Sequence, residues 1–161
     1  MTTWTWTPYA DLSADALYDL LALRQAVFVV EQTCAFLDAD GLDRRAWHLQ
    51  GHHDGQLIAA MRVFGPGELQ PEAVIGRVVS APHTRRTGVG KELLRVGLDH
   101  LEATFGAVPV YAGAQAWLQR FYEGFGFVVS GGGYDEDGIA HLPMIRPAPA
   151  ARLNPAAVQA G

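Results

Sequence analysis

The chain has 161 residues, with 12 Lys and Arg against 17 Asp and Glu for a net charge of −5, one cysteine, 49% hydrophobic residues and 18% charged ones. That is the length of a single globular domain with enough apolar content to bury a core, and the acidic balance argues against a nucleic-acid partner, which needs a basic face to neutralise phosphates. Cys34 alone builds neither an intramolecular disulfide nor a cysteine-rich metal site, the start Met1 to Pro8 is not a secretion signal, and no apolar run is long enough to span a bilayer, so a cytoplasmic protein with no metal and no membrane partner is expected.

Thr3-Trp4-Thr5-Trp6-Thr7 alternates aromatic with β-branched residues, the pattern of a half-buried strand that Pro8 ends. Ser13 caps a helix on which Leu17, Leu20, Leu21, Arg24 and Phe28 recur at helical spacing. From Val27 to Phe36 the polar face disappears; this reads as a packed segment leading into a loop, with Glu31 in its middle. Asp38-Ala-Asp40-Gly41-Leu-Asp43 is a turn by composition. A hairpin follows, with arms Ala46 to His53 and Gln56 to Phe64 joined at Asp54-Gly55.

Past a loop marked by Gly65, Gly67 and Pro71, Ala73 to Ala81 is a Val- and Ile-rich strand that Pro82 terminates. A helix starts near Gly88, with Val89, Leu93, Leu94, Val96, Leu98 and Leu101 on its buried side and Gly106 beyond its end. Val108 to Ala114 is a strand, Ala116 to Gly124 a short helix and Phe127 to Val129 another strand; after Gly131-Gly-Gly133 and a turn at Asp137-Gly138, Ile139 to Ile145 closes the sheet. The domain covers 1–146, and 147–161 reads as a loose Ala/Pro-rich tail. The order predicts a mixed α/β, α+β architecture, with a mainly antiparallel sheet containing one parallel pair joined by the helix near Gly88.

Arg85-Arg86-Thr87-Gly88-Val89-Gly90-Lys91 joins a strand to that helix, where first-turn amides lack partners and glycines let an anion come close. From Arg77 to Arg95 there are five basic residues and one acid, and the chain's only lysine is here. A phosphate or pyrophosphate ligand fits, against the plainer reading of a tight turn with solvated arginines. A Walker A loop is excluded because Lys91 is followed by Glu92, and a dinucleotide fingerprint because Leu93 stands where its third glycine belongs.

Ser80-Ala-Pro82 followed by Arg85, Gly88 and Gly90 resembles the acyl-CoA loop of the GNAT N-acetyltransferases, and Ala116-Trp-Leu118-Gln-Arg-Phe121-Tyr122-Glu-Gly-Phe125-Gly126-Phe127 resembles a second, downstream element of that family. Leu23 to Gln32, the Asp38 to Gly41 turn, Ile75 to Val78, Gly113 to Ala116 and Glu136 to His141 are similar to its ElaA-like branch, so the likeness covers about 1–146. It implies a three-layer fold whose parallel strands splay around acetyl-CoA, with Val78 and Ser80 bonding pantetheine through their backbone. The implied cofactor-binding set is Val78, Val79, Ser80, Arg85, Arg86, Thr87, Gly88, Val89, Gly90 and Lys91, with Gln115 contacting pantetheine or substrate. Many relatives pair, which leaves a homodimer open.

Acetyl transfer to a small-molecule or peptide amine needs a neutral amine, a donor for the oxyanion and an acid for the leaving thiolate. The resemblance gives the acid role to Tyr122, whose alternative is a core aromatic beside Phe121 and Phe125. Many relatives carry a catalytic Glu on the strand before the loop, but 74–81 hold no carboxylate here. Glu31 is the substitute base, raised towards neutrality if buried among Val29, Val30 and Cys34; otherwise it is a structural carboxylate paired with Arg24 or capping a loop. Around the acceptor, Gln32 belongs to the matched stretch, and Asp40 with Asp38 and Asp43 forms either an acidic mouth for an ammonium or only a turn. His48 and His141 either relay the amine proton or are satisfied polar groups of strands. The rival to an enzyme is a non-catalytic acyl-CoA-binding or interaction module on the same fold.

Overall fold

The computed structural model describes residues 1–149; of the expected tail, 150–161 lie outside the described residues. Eight strands among the described residues form one sheet. They are β1 (Thr3–Pro8), β2 (Trp47–His53), β3 (Gln56–Phe64), β4 (Ala73–Ser80), β5 (Val110–Gln115), β6 (Val128–Val129), β7 (Tyr134–Glu136) and β8 (Ile139–Arg146). The spatial order is β1-β2-β3-β4-β5-β8-β6, with β7 also paired to β8. Only β4 and β5 run parallel, and they are linked by α2 (Val89–Phe105).

That helix forms because its apolar residues fall on one face, and it buries Val89, Leu93, Leu94, Leu98 and Leu101 against the sheet. On the other face α1 (Ala14–Arg24) is capped by Ser13, whose Oγ accepts from the Ala16 N–H at 3.0 Å, and sets Leu20 against Leu57, Ala60 and Val79. The helix does not break where the packed segment was expected. It continues as a wider π turn over Gln25–Glu31, which keeps Val27 buried and brings Glu31 and Gln32 out beside β4.

The parallel ladder is short. It pairs Ala73 with Val110, Val74 with Tyr111 and Ile75 with Ala112, and goes no further. One cause lies on the other edge of β4: Ala60 faces Val79 while Arg62 faces Gly76, so β4 carries one extra residue, and Arg77 at the bulge has φ +49°. A bulge bends its strand and adds twist, here turning β4 away from β5. From Gly76 and Gly113 onwards the facing edges of both strands have no ladder between them. No helix of the described residues is long and apolar enough to cross a membrane.

Candidate active site

The splay opens a cleft of about 420 Å³ lined by Val78, Val79 and Ser80 of β4, Gln115 of β5, the π turn (Val27, Phe28, Glu31) with Gln32, the loop residues Arg85, Arg86 and Gly90, and Trp117, Leu118 and Phe121. An extended amide-bearing chain laid there meets strand edges with free hydrogen-bonding capacity, as in the addition of a strand to a sheet. At its end α2 begins without a side-chain cap, from Gly88 at φ +89°, a conformation that residues with a side chain rarely adopt. The first intrahelical bond runs from the Glu92 N–H to the Gly88 C=O at 3.0 Å, so the amides of Val89, Gly90 and Lys91 precede it. A Cβ at Gly90 would meet nothing within 4 Å. These features fit a diphosphate.

A second cavity of about 420 Å³ adjoins the cleft, lined by Phe28, Gln32, Cys34, Phe36, Leu37, Asp40, Leu42, Arg62, Arg77, Gln115, Glu136, Asp137, Ile139 and His141. Phe28, Gln32 and Gln115 line both spaces. The two glutamines bond each other across the join, Gln115 Nε2 to Gln32 Oε1 at 3.3 Å and Gln32 Nε2 to Gln115 Oε1 at 3.4 Å, and Trp117 Nε1 donates to Gln115 Oε1 at 2.7 Å.

Asp40, Arg62 and Arg77 of the second cavity's wall belong to a largely buried cage of three arginines and three aspartates, completed behind them by Arg24, Asp38 and Asp43. Arg24, 1% exposed, donates through Nε to Asp38 at 2.9 Å and through Nη1 to Asp43 at 2.7 Å. Arg62 bonds Asp40 at 2.9 and 3.0 Å and Asp43 at 3.1 Å. Arg77 Nε lies 2.8 Å from Asp38 Oδ1, an ion-pair contact without hydrogen-bond alignment, and its Nη2 reaches Asp40 at 3.3 Å. Burial alone would raise the carboxyls of Asp40 and Asp43, but the guanidiniums outweigh it and hold both below the usual range. The six charges cancel, so the acidic mouth expected at Asp38, Asp40 and Asp43 does not exist; Asp40 lines the cavity already neutralised.

Two further expectations change. Glu31 is not buried: its side chain is 38% exposed and grips Arg85 through two contacts of 2.5 and 3.1 Å, because the π turn points it across the cleft mouth. Arg24, its expected partner, is spent on the cage. His48 lines neither cavity. It is fully buried, its Nε2 is bonded to the Asp43 C=O at 2.9 Å, its Nδ1 has no partner, and burial pushes its imidazole down.

Of the expected cofactor residues, Val78, Val79, Ser80, Arg85, Arg86, Gly90 and Gln115 line the cleft, whereas Thr87 and Val89 border a different surface cavity with His83 and Glu92, and Gly88 and Lys91 line neither. Tyr122 lines neither cavity: it is 5% exposed and packed in the core behind Leu118 and Phe121 of the cleft wall, with its ring edge-on to Phe121 and Phe127 at 5.3 and 5.5 Å, and burial pushes its phenol up to about 12. Gln32, Asp40 and His141 come together in the second cavity. Residues that the sequence reading left out, Phe28, Phe36, Arg62, Arg77 and Glu136, line it as well. One signal for them was present: an arginine inside the apolar strand Leu57 to Phe64 has to find carboxylates.

Residues 26–146 match the family described as the acetyltransferase (GNAT) domain. The chain is 41% identical over 143 residues to a UPF0039 protein of Synechocystis, spanning 88% of this chain and 93% of that one. It is 40% identical over 148 residues to protein ElaA of Escherichia coli, spanning 91% and 97%. Among solved structures it is similar to an acyl-CoA N-acyltransferase from Pseudomonas aeruginosa, with TM-score 0.88, 42% identity and 91% and 99% coverage. It is also similar to E. coli ElaA, with TM-score 0.85, 39% identity and the same two coverages.

Proposed function

The chain belongs to the GNAT acetyltransferase family, and on that premise we propose that it transfers the acetyl group of acetyl-CoA to a primary amine, of a small molecule or a peptide, by direct attack with both substrates bound. The observation that carries this reading is the junction of two cavities at Gln32 and Gln115, one offering strand edges and a helix start, the other closed off by the neutralised cage. Val78 and Ser80 hold the pantetheine amides through their backbone; the first-turn amides of α2 around Gly90, with Arg86 lining the cleft beside them, hold the diphosphate. Acetyl-CoA supplies the activated acyl group. The Gln32 and Gln115 amide N–H groups are the side-chain donors at the join, where charge develops on the carbonyl oxygen. Tyr122, protonated throughout the neutral range, donates to the departing sulfur. Direct attack requires no covalent intermediate, so Cys34, which lies outside both family motifs and whose thiol donates to the Asp137 C=O at 3.3 Å, is given no nucleophilic role.

Calorimetry with acetyl-CoA, followed by thiol release across a panel of polyamines, amino sugars and peptides, tests the reading. Wild type is expected to bind and to release thiol with at least one amine. Gly90→Glu is expected to keep its fold, since a helix accepts Glu better than Gly and the Cβ has open space, yet to lose binding because its carboxylate occupies the anion seat. Retained binding in Gly90→Glu would displace the diphosphate from this loop, and tight binding without release for any amine would leave a binding module in place of an enzyme.

A further inference from the structure

We infer that His141 is the general base of the acceptor cavity, with Glu136 as its positioning residue; this rests on the acetyl-transfer reading above. The sheet builds the arrangement. His141 on β8 is the cross-strand partner of Gln115 on β5 and of Tyr134 on β7, and directly paired residues present their side chains on one face. His141 therefore stands beside the amide that separates the two cavities. Its ring stacks on Tyr134, with centroids 5.6 Å apart and planes 22° apart, and Tyr134 has room because position 113 is glycine: a Cβ there would come within 2.6 Å of the Tyr134 hydroxyl.

The hydrogen bonding sets the tautomer. His141 Nδ1 lies 2.7 Å from the Ile139 C=O, which can only accept, so Nδ1 carries the proton and Nε2 of the neutral ring is bare. Glu136 Oε2 lies 3.6 Å from Nε2, too far for a hydrogen bond but placed to stabilise the ring once Nε2 is protonated. A neutral base with both nitrogens provided for in its charged form is what proton removal from an amine requires.

The other titratable groups around the cavity are engaged or solvated. Asp40 is held by Arg62 and Arg77, the Cys34 thiol by the Asp137 C=O, the Glu136 carboxylate is 60% exposed and Asp137 is exposed to solvent. Glu31 faces the cofactor cleft and is tied to Arg85. In the reaction His141 Nε2 takes one proton from the amine nitrogen as the N–C bond forms. The C–S bond breaks, Tyr122 gives the sulfur a proton, and solvent returns the phenolate and the imidazolium to their starting states.

The test uses the full chain with acetyl-CoA and an amine that wild type accepts. His141→Ala is expected to keep acetyl-CoA affinity and to lose turnover by on the order of 100- to 10,000-fold, the range for general-base loss, with added imidazole restoring part of it. Glu136→Gln is expected to lose less and to lower kcat while leaving KM for the amine close to that of wild type, a split that a merely structural carboxylate would not produce. Nitrogen-15 spectra of the free protein are expected to show the Nδ1–H tautomer at His141. An unaffected turnover in His141→Ala, or an Nε2–H ring, overturns the assignment while leaving the acetyl-transfer reading intact. A wild type that binds no acetyl-CoA, or releases no thiol with any amine, overturns both. If His141→Ala fails to bind acetyl-CoA, His141→Gln answers the same question, and a wild-type rate there counts against the base.

Discussion

In the proposed mechanism Tyr122 is an acid prepared by burial. Loss of water is the sole cause that pushes its phenol up to about 12, so the hydroxyl stays loaded at any pH at which the amine is neutral enough to attack. Tyr122→Phe keeps the edge-on contacts with Phe121 and Phe127 and so should fold as wild type does. It is expected to lower kcat on the order of 100-fold and to leave the acetyl-CoA dissociation constant within about twofold, the signature of an interaction made only in the transition state. In wild type, kcat/KM should show no descending limb from the phenol until the pH approaches about 12. Steady-state kinetics beside calorimetry checks all of this, and unchanged turnover would remove Tyr122 from the mechanism. At this scale the sequence was legible where structure is local, as in Gly88, whose φ of +89° opens α2. It was not legible where a side chain is defined by a remote partner: Glu31 meets Arg85 54 positions along the chain, and the cage joins a helix, a turn and two strands.

Among the elements, α2 packs closely on the sheet at Gly97, two turns beyond the helix start to which the proposed function assigns the diphosphate. A Cβ there would stand 1.7 Å from Met61 Cε, 3.2 Å from its Sδ and 3.4 Å from a Leu49 methyl. The Met61 tip can swing, but Met61 and Leu49 are fully packed, so relief has to come from neighbours or from lifting the helix. Gly97→Ala is therefore expected to destabilise by about 1–2 kcal/mol, at the lower end of overpacking costs, which corresponds to a Tm lower by several °C for a domain of roughly this size. Affinity for acetyl-CoA should change little, because the first turn lies two turns away. Thermal unfolding with and without the ligand measures both, and a Tm equal to that of wild type would mean that the β3–α2 contact is looser than it looks. Periodicity predicted this helix nearly to the residue, since one face is buried and the other wet. The π turn, the bulge at Arg77 and strand β7 escaped because each departs from a single period. A run of valines says nothing about winding, Arg77 adopts a positive φ without being glycine, and Tyr134–Glu136 is a strand only through its pairing with β8.

The molecule as a whole places a neutral but highly charged cage inside a chain of net charge −5, and two kinds of proton acceptor are built into it with opposite charges when protonated or bare. His48 packs against the cage, and burial is the largest cause that holds its imidazole below the ordinary value of 6.5; Nδ1 has no partner to receive a proton. Below that ordinary value the unfolded chain binds a proton that the native ring declines, so the contribution of His48 to stability is complete above about 6.5 and is lost as the pH falls, by up to about 1.4 kcal/mol per pH unit. Asp40 and Asp43 act in a lower window. Their guanidinium partners hold them below the ordinary 3.8 despite burial, so what they contribute is present above that value and disappears as the pH drops through their lower native values. Acid unfolding should then begin with a gentle loss of Tm as the pH falls below about 6.5, before the carboxylates titrate, and steepen below pH 3.8. In His48→Gln, whose amide can still donate to the Asp43 C=O, the first decline should flatten while the second remains. Tm measured from about pH 7.5 down to 3 on both proteins decides it: parallel curves would mean that the ring takes up its proton in the native state without cost, and that the cage accommodates a fourth positive charge.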